Sequence, residues 1–166
     1  LYEYTAQIPF KVGIESVTVS STAGVNYGKE NAIDGDMNTL WKSKTPTTMA
    51  SQFDWITFTL KKPSPISSLQ LKAHNVYQNS EVHVYDESGQ VIWSSGIQWC
   101  FKDVGGGILK LNPFFKRYLD RPVKEVRFSS RSHMKGVQNF GVFDVAIEST
   151  WADVLFQGLS VTELAE

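Results

Sequence analysis

The amino-acid sequence predicts an all-β sandwich, and three observations support this. Short segments alternate apolar and polar residues, so that one side of each strand would face a core and the other side solvent. Clusters of Pro, Gly, Ser and Asp separate these segments and predict turns. Helical spacing of apolar residues is nearly absent. Many short strands between turns are typical of two sheets packed face to face.

The clearest predicted strand spans residues 55–60, where Ile56, Phe58 and Leu60 share one side. Trp41 and Trp55 flank predicted strands and are expected in the core, the common place for such rings. The other alternating segments are 69–73, 81–85, 126–128 and 143–147. Turn signals lie at 63–65, 87–89, 105–107 and 121–122. We therefore expect one β-sandwich over residues 1–150, followed by a loosely amphipathic tail or linker over residues 151–166.

Composition limits the function classes. The chain has 166 residues, of which 42% are hydrophobic, enough for one folded domain. Its net charge of −1 lacks the basic balance of a nucleic-acid-binding protein. A single cysteine, Cys100, allows no internal disulfide. No apolar run reaches the roughly 18–20 residues of a membrane-spanning helix.

The sequence also argues against catalysis. The spacings of His74, His83 and His133 match no zinc motif. No Gly-x-Ser-x-Gly segment is present, and the glycines at 105–107 are not followed by the Lys-Ser/Thr pair of a phosphate-binding loop. We therefore expect a non-catalytic binding module.

Residues 31–41, which read Asn-Ala-Ile-Asp-Gly-Asp-Met-Asn-Thr-Leu-Trp, resemble the A-x-D-G-x-x-x-T-x-W signature of the discoidin, or coagulation-factor type C, family. Segments 55–60, 82–93, 126–128 and 143–148 resemble later family motifs in the right order. The resemblance covers about residues 10–149 and implies a galactose-binding-like (discoidin) jelly-roll β-sandwich. The family includes carbohydrate-binding modules of sialidases and galactose oxidase. Its cysteine pair and its usual loop arginine are missing here.

The resemblance further implies a structural Ca²⁺ site in loop 30–39. Calcium takes six to eight oxygen ligands, here carbonyls, one hydroxyl and two carboxylates. The closing strand would add two of these ligands to the loop. The ligand residues implied by the family pattern are Asn31, Asp34, Asp36, Thr39, Ile147 and Glu148. The alternative is an Asp-Gly turn without metal.

The family habit places the ligand site on the loops at one end of the sandwich, in segments 42–54, 74–80 and 130–140. A sugar site needs a flat apolar surface and a few fixed polar groups. Arg131 would replace the missing loop arginine, and Phe140 would either stack on the sugar or lie in the core. The candidate ligand-binding residues are His74, Asn75, Tyr77, Arg131, His133, Asn139 and Phe140. The alternative is an ordinary set of polar surface loops.

The predicted function is recognition of a cell-surface or extracellular glycan, with a galactose-type or amino-sugar terminus. One alternative is an assembly or decoration module of a larger particle, such as a phage virion, docked through residues 151–166. A weaker alternative is phospholipid binding through apolar loop tips. The candidate tip residues are Met49, Phe53, Val76 and Met134. No Trp or Leu pair lies at the tip of loop 42–54, so membrane insertion is not expected. The expected location is extracellular or surface-exposed, which includes a virion surface.

Overall fold

Two antiparallel sheets of five strands each pack face to face in the part of the chain that the computed structural model describes. That part comprises residues 8–44, 53–74, 80–95, 108–111, 119, 121–131, 140–159 and 161–164. The first sheet contains β1 (Pro9–Lys11), β3 (Trp41–Lys42), β5 (Ser68–His74), β8 (Ile108–Leu111) and β10 (Gly141–Thr150). The second sheet contains β2 (Ile14–Val19), β4 (Phe53–Ser64), β6 (Ser80–Tyr85), β7 (Val91–Ser94) and β9 (Val123–Arg131). The predicted all-β sandwich is confirmed.

Strand β10 organises the first sheet. The sheet runs in the order β1-β10-β5-β8, and the short strand β3 also pairs with β10. The pairing of β10 with β5 shifts register between Val142 and Asp144, which marks a β-bulge at Phe143. The second sheet runs in the order β2-β4-β9-β6-β7. Since β10 pairs with β1, β3 and β5, three separate parts of the chain are positioned by one strand.

The core lies between the two sheets and follows the predicted alternation. Ile56, Phe58 and Leu60 of β4 are fully buried, as predicted. On the neighbouring strand β9, Phe128 lies opposite Ile56 in the register. The rings of Phe58 and Phe128 meet edge to face at 6.0 Å. Edge-to-face contact is a favoured geometry for aromatic pairs in a core.

The two flanking tryptophans differ from each other. Trp41 is fully buried, so its predicted core role is confirmed. Trp55 precedes Ile56, and strand alternation turns it to the outer side of the second sheet, where it is half-buried. There the guanidinium carbon of Arg127 lies 4.3 Å from the centre of its ring. The prediction of a core role for Trp55 was therefore wrong.

Gly141 allows a close approach between β3 and β10. It lies opposite Lys42 on one side and opposite His74 of β5 on the other. A Cβ atom at Gly141 would lie 2.8 Å from the carbonyl oxygen of Trp41 and 3.0 Å from a methyl carbon of Leu40. Because the first neighbour is backbone, a side chain here would require movement of strand β3.

The tail packs against the sandwich. It forms two short helices, α1 (Trp151–Phe156) and α2 (Val161–Leu164). The hydroxyl of Thr150 accepts a hydrogen bond from the amide of Asp153 at 3.3 Å and caps α1. Val154 and Leu164 are buried, at 0% and 4% exposure. Residues 151–159 and 161–164 thus form a tail packed on the sandwich, which agrees with the first of the two expected alternatives, a tail or a linker. In the described residues, no helix has both the length and the apolar character to span a membrane.

Burial of Leu164 predicts that the tail stabilises the sandwich. The Leu164→Ala variant should lower the free energy of unfolding by about 2–5 kcal/mol, because it removes buried methyl groups and leaves a cavity. The matched control is Leu155→Ala in α1, where the leucine is half exposed and little change is expected. Denaturant unfolding measures both values. Equal stability of Leu164→Ala and wild type would show that the tail does not pack as described.

The close approach at Gly141 predicts a second stability difference. The Gly141→Ala variant should cost about 1–3 kcal/mol of stability, because the new methyl group overpacks against the Trp41 carbonyl. The control is Gly24→Ala, since no atom lies within 4 Å of the Cβ position at Gly24. Thermal unfolding of the two variants checks the prediction. A Gly141→Ala variant as stable as Gly24→Ala would contradict the close approach.

Candidate functional site

One end of the sandwich brings together three strand ends of the first sheet. Strands β3 and β5 finish here, and β10 begins. Lys42, Gly141 and His74 form a row across the three strands. The preceding residues of β3 and β5, Trp41 and Ala73, are buried in the core. Strand alternation therefore turns Lys42 and His74 to the outer side of the sheet.

Two aromatic rings extend this row along the outer side of the sheet. The Lys42 ammonium nitrogen lies 5.1 Å from the ring centre of Tyr27, and that of Lys72 lies 5.0 Å from Phe143. The imidazole of His74 meets the Phe143 ring edge to face at 6.2 Å. All five side chains are half-buried. We call these residues the basic-aromatic strip: Tyr27, Lys42, Lys72, His74 and Phe143.

The ionisable groups of the strip differ in charge: the two lysines are positive and His74 is neutral. Burial lowers the pKa of His74 from its usual value, and the positive charge of Lys42 lowers it further. His74 is therefore neutral at pH 7. Across the described residues, no carboxylate lies within 4.0 Å of the ammonium nitrogen of Lys42 or Lys72. Lys72 instead donates to the carbonyl of Met37 at 3.5 Å, although Asp144 is its partner in the strand register.

The predicted ligand residues divide into three groups. His74 lies in the strip, and Arg131 ends β9 at the same end of the second sheet. Phe140 is only 4% exposed and meets the Trp41 ring edge to face at 5.4 Å. Its predicted stacking on a sugar is therefore replaced by the core role. Four candidates lie outside the described residues: Asn75, Tyr77, His133 and Asn139.

Three residues of the strip, Tyr27, Lys72 and Phe143, were not predicted, and Lys42 was predicted only as the first residue of the ligand segment 42–54. Lys72 could have been found, because it alternates with the buried Leu71 and Ala73 and so shares the outer side of β5 with His74. Lys42 and Tyr27 carry no such signal, since their position depends on the pairing of β3 with β10, about a hundred residues away in the chain. Phe143 is turned outward by the β-bulge, which the alternation did not predict.

Asp54 adds a carboxylate near the same end of the sandwich, on the second sheet. Burial raises the pKa of Asp54, and hydrogen bonds from the hydroxyls of Ser43 and Ser20 oppose that rise. In the register Asp54 lies opposite Ser130, whose hydroxyl is 3.3 Å from that of Ser80. These polar groups close the core beneath the loops and connect β4 with the ends of β2 and β3.

The predicted calcium loop brings three oxygen atoms together. The hydroxyl of Thr39 donates to the Asp34 carboxylate at 2.5 Å and lies 3.2 Å from the carbonyl oxygen of Asp36. This hydrogen bond is the main cause that lowers the pKa of Asp34. The amide of Asn31 donates to the carbonyls of Asn26 and Leu40 and holds the loop closed. A carboxylate, a carbonyl and a hydroxyl are ligands that fit Ca²⁺.

The predicted ligands on the closing strand make other contacts. The carbonyl of Ile147 accepts a hydrogen bond from the Val12 amide at 2.8 Å, and the Glu148 carboxylate accepts one from the Ser68 hydroxyl at 3.2 Å. Among the described contacts none joins either residue to the loop, and their role as calcium ligands stays a prediction. Where side chains are described, no group of three or more acidic, histidine or cysteine residues could hold a metal.

A different acidic residue of β10 lies beside the loop. Asp144 lines a pocket of about 230 Å³ together with Ile33 and Gly35, and the ammonium-bearing side chains of Lys11 and Lys61 line the same pocket. It lies four residues before Glu148, which corresponds to roughly 13 Å along a strand. The two carboxylates therefore cannot serve one ion at this loop. The signal for Asp144 is its place near the start of the closing strand, and the sequence analysis had assigned the acidic position to the strand's other end.

A second polar cluster lies on the outer side of the second sheet, where most groups contact one another but the buried Nδ1 of His83 has no hydrogen-bond partner among the described residues. The Arg127 guanidinium covers Trp55 and donates through Nε to the Thr57 hydroxyl at 2.8 Å. His83 contacts the Glu81 carboxylate at 3.1 Å, and its ring stacks on Tyr85 at 6.1 Å. These contacts are typical of cross-strand pairs that stabilise a sheet. We consider the basic-aromatic strip the better candidate site, because it lies at the end of the sandwich where the predicted ligand segments begin and end.

The comparison with protein families supports the resemblance found in the sequence. The F5/8 type C domain model matches residues 16–94. This segment includes the loop 31–41, strands β3 to β7 and most of β2. No curated protein sequence matches the chain.

Solved structures with the same fold include modules of different kinds. A variant of chitosan-binding module 1 from a Paenibacillus sp. IK-5 chitosanase/glucanase is 18% identical, with a TM-score of 0.64, covering 86% of this chain and 100% of that chain. The family 32 carbohydrate-binding module of C. perfringens NanJ, solved with galactose, is 15% identical, with a TM-score of 0.61 and the same coverage. XRCC1, solved bound to the DNA pol beta catalytic domain, is 15% identical, with a TM-score of 0.64, covering 84% and 98%.

These identities are low, and the likeness to the solved structures shows the fold. Together with the family match, it confirms the resemblance drawn from residues 31–41. The chain has the galactose-binding-like (discoidin) β-sandwich fold, and its residues 16–94 carry the signature of the F5/8 type C domain family.

Proposed function

We propose that the protein is a non-catalytic module that binds a glycan at the basic-aromatic strip and the adjacent loop end. The observation that carries this proposal is the row of Lys42 and His74 beside the rings of Tyr27 and Phe143. The likeness to a chitosan-binding module and to a module solved with galactose supports it. Such modules also occur as parts of larger enzymes.

The strip offers what a sugar ring requires. A sugar presents apolar C–H groups and hydroxyl edges, so that a site needs partly exposed rings beside fixed hydrogen-bonding groups. Half-buried Tyr27 and Phe143 provide the rings. Lys42 provides donors, and neutral His74 has one donor and one acceptor nitrogen. Because these groups are on strands and on a short helical turn, they are held in place before the ligand arrives.

The glycan proposal predicts a loss of affinity on removal of the imidazole. A glycan array first identifies a ligand, for which the dissociation constant should be weak, on the order of micromolar to millimolar. Calorimetry should then show that His74→Ala weakens binding by about 1–3 kcal/mol, because a hydrogen bond to a sugar hydroxyl is lost. The control is His83→Ala on the opposite sheet, which should bind as wild type does. Equal affinity of the His74→Ala variant would place the site elsewhere.

We also propose that the loop 31–39 binds a structural Ca²⁺ ion. Asp34, Asp36 and Thr39 would hold it, and Asp144 is the candidate carboxylate from β10. The bound ion would supply a positive charge that ties the loop to the strand. This role is structural, since the loop offers no nucleophile and no proton relay.

Calcium binding predicts a chelator-sensitive melting temperature. A ligand that binds only the folded state raises stability by mass action, so excess chelator should lower the melting temperature of the wild type. The Asp34→Ala variant should melt at the same temperature with and without chelator. Asp86→Ala, in the turn between β6 and β7, should still respond as wild type does. A wild-type melting curve that chelator leaves unchanged would refute the calcium site.

A second candidate function is assembly into a larger protein or particle. Helix α1 exposes three large apolar side chains, with Trp151 at 45%, Leu155 at 50% and Phe156 at 91% exposure. An exposed apolar group of this kind is typical of a contact surface. Residues 151–166 would then bind the larger protein or particle, and the glycan array would show no ligand. Both functions fit an extracellular or surface-exposed module, including one on a virion.

A further inference from the structure

The charge of the basic-aromatic strip distinguishes between classes of sugar. Lys42 and Lys72 flank His74, and each ammonium group lies over an aromatic ring. No described carboxylate lies within 4.0 Å of either ammonium nitrogen. The one acidic residue facing them in the register is Asp144, opposite Lys72. The described strip therefore carries two positive charges against one negative charge.

We propose that the strip selects an acidic saccharide, whose ring carboxylate lies between Lys42 and His74. This inference rests on the proposed glycan-binding function and names the class of ligand. The preferred ligand is a sugar chain that contains uronic acid. Neutral sugars would bind more weakly, and sugars with a free ammonium group would be repelled.

The row has a closed floor between Lys42 and His74. Lys42 and His74 are separated by strand β10, so their Cα atoms are roughly 9–10 Å apart, or two strand spacings. Between them Gly141 has no side chain, and the place that its Cβ would take is closed by the Trp41 carbonyl oxygen at 2.8 Å and by a methyl group of the partly exposed Leu40 at 3.0 Å. The row therefore has an apolar floor between a cation and an imidazole. A ring on that floor would present its carboxylate to either side.

A carboxylate is favoured over a neutral group by Coulomb attraction to the ammonium groups of the strip. A neutral sugar gains only hydrogen bonds from an ammonium group, whereas a carboxylate gains a charge-assisted hydrogen bond that is about twice as strong. The half-buried setting of Lys42 reduces screening by salt, compared with a fully exposed charge. Asp144 weakens the attraction at Lys72, so Lys42 should contribute more to the selection.

The pKa of His74 should change when a carboxylate binds beside it. Its pKa is lowered in the free protein by burial and by Lys42. A carboxylate close to the imidazole favours the protonated form and raises that pKa again. A neutral sugar in the same place adds no charge and would leave the pKa low or lower it further by desolvation. The sign of the shift therefore separates the two classes of ligand.

The test uses the full chain and three trisaccharides: galacturonic acid, galactose and glucosamine. Calorimetry at low salt should show that the galacturonate trimer binds at least tenfold more tightly than the galactose trimer, and that the glucosamine trimer binds least. Lys42→Gln should remove this preference, because it should weaken binding of the galacturonate trimer at least tenfold more than binding of the galactose trimer. Lys62→Gln, an exposed lysine of β4, is the matched control and should retain the preference. An NMR titration should show a higher His74 pKa with the galacturonate trimer only.

Equal affinity for the acidic and neutral trimers would overturn the acidic-saccharide inference and leave the glycan-binding proposal standing. Equal weakening of the acidic and the neutral trimer by Lys42→Gln would also overturn the acidic-saccharide inference and leave the glycan-binding proposal standing. Absence of binding by all three trimers, together with a silent glycan array, would overturn both proposals. A lowered His74 pKa with the galacturonate trimer would also contradict the placement of the carboxylate beside the imidazole.

Discussion

The burial of Trp41 is the constraint on which the loop end of this sandwich depends. Its indole N–H donates to the carbonyl of Ser21 at 2.9 Å, and its ring meets Phe140 edge to face at 5.4 Å. A buried ring with its polar atom satisfied can have few alternative positions. Because Trp41 is fixed in the core, strand alternation turns the next residue, Lys42, to the outside. The loop before Trp41 and the row at Gly141 are fixed by the same anchor.

The sequence was sufficient for the fold class because the fold rests on local alternation. The pattern over residues 55–60 correctly predicted the buried side of β4, and the motif over residues 31–41 correctly indicated the family. Trp55 shows where residue type misled the prediction. Large rings are usually buried, yet the alternation with Ile56 required Trp55 to face outward. The pattern outweighed the propensity of the single residue.

The candidate site was less predictable, because it depends on which strands pair. His74 was found from its place after a predicted strand, but Lys42 joins it only through the pairing of β3, β10 and β5. Glu148 was assigned to the calcium loop from the family pattern and stays a prediction, while Asp144 is the acidic residue of β10 that lines the pocket with Gly35. A shift of four residues along a strand moves a side chain by roughly 13 Å, so a motif matched without a register cannot assign ligands.

The fold alone does not decide the function, since similar sandwiches occur in sugar-binding modules and in XRCC1 bound to a polymerase domain. The central claim is that the outer side of the first sheet, at its loop end, is the binding surface. Chemical-shift mapping of backbone amides during addition of a galacturonate trisaccharide tests it most directly. We expect shifts at Lys42, His74 and residues 141–143. Shifts confined to Trp55, Tyr85 and Arg127 on the opposite sheet would contradict it.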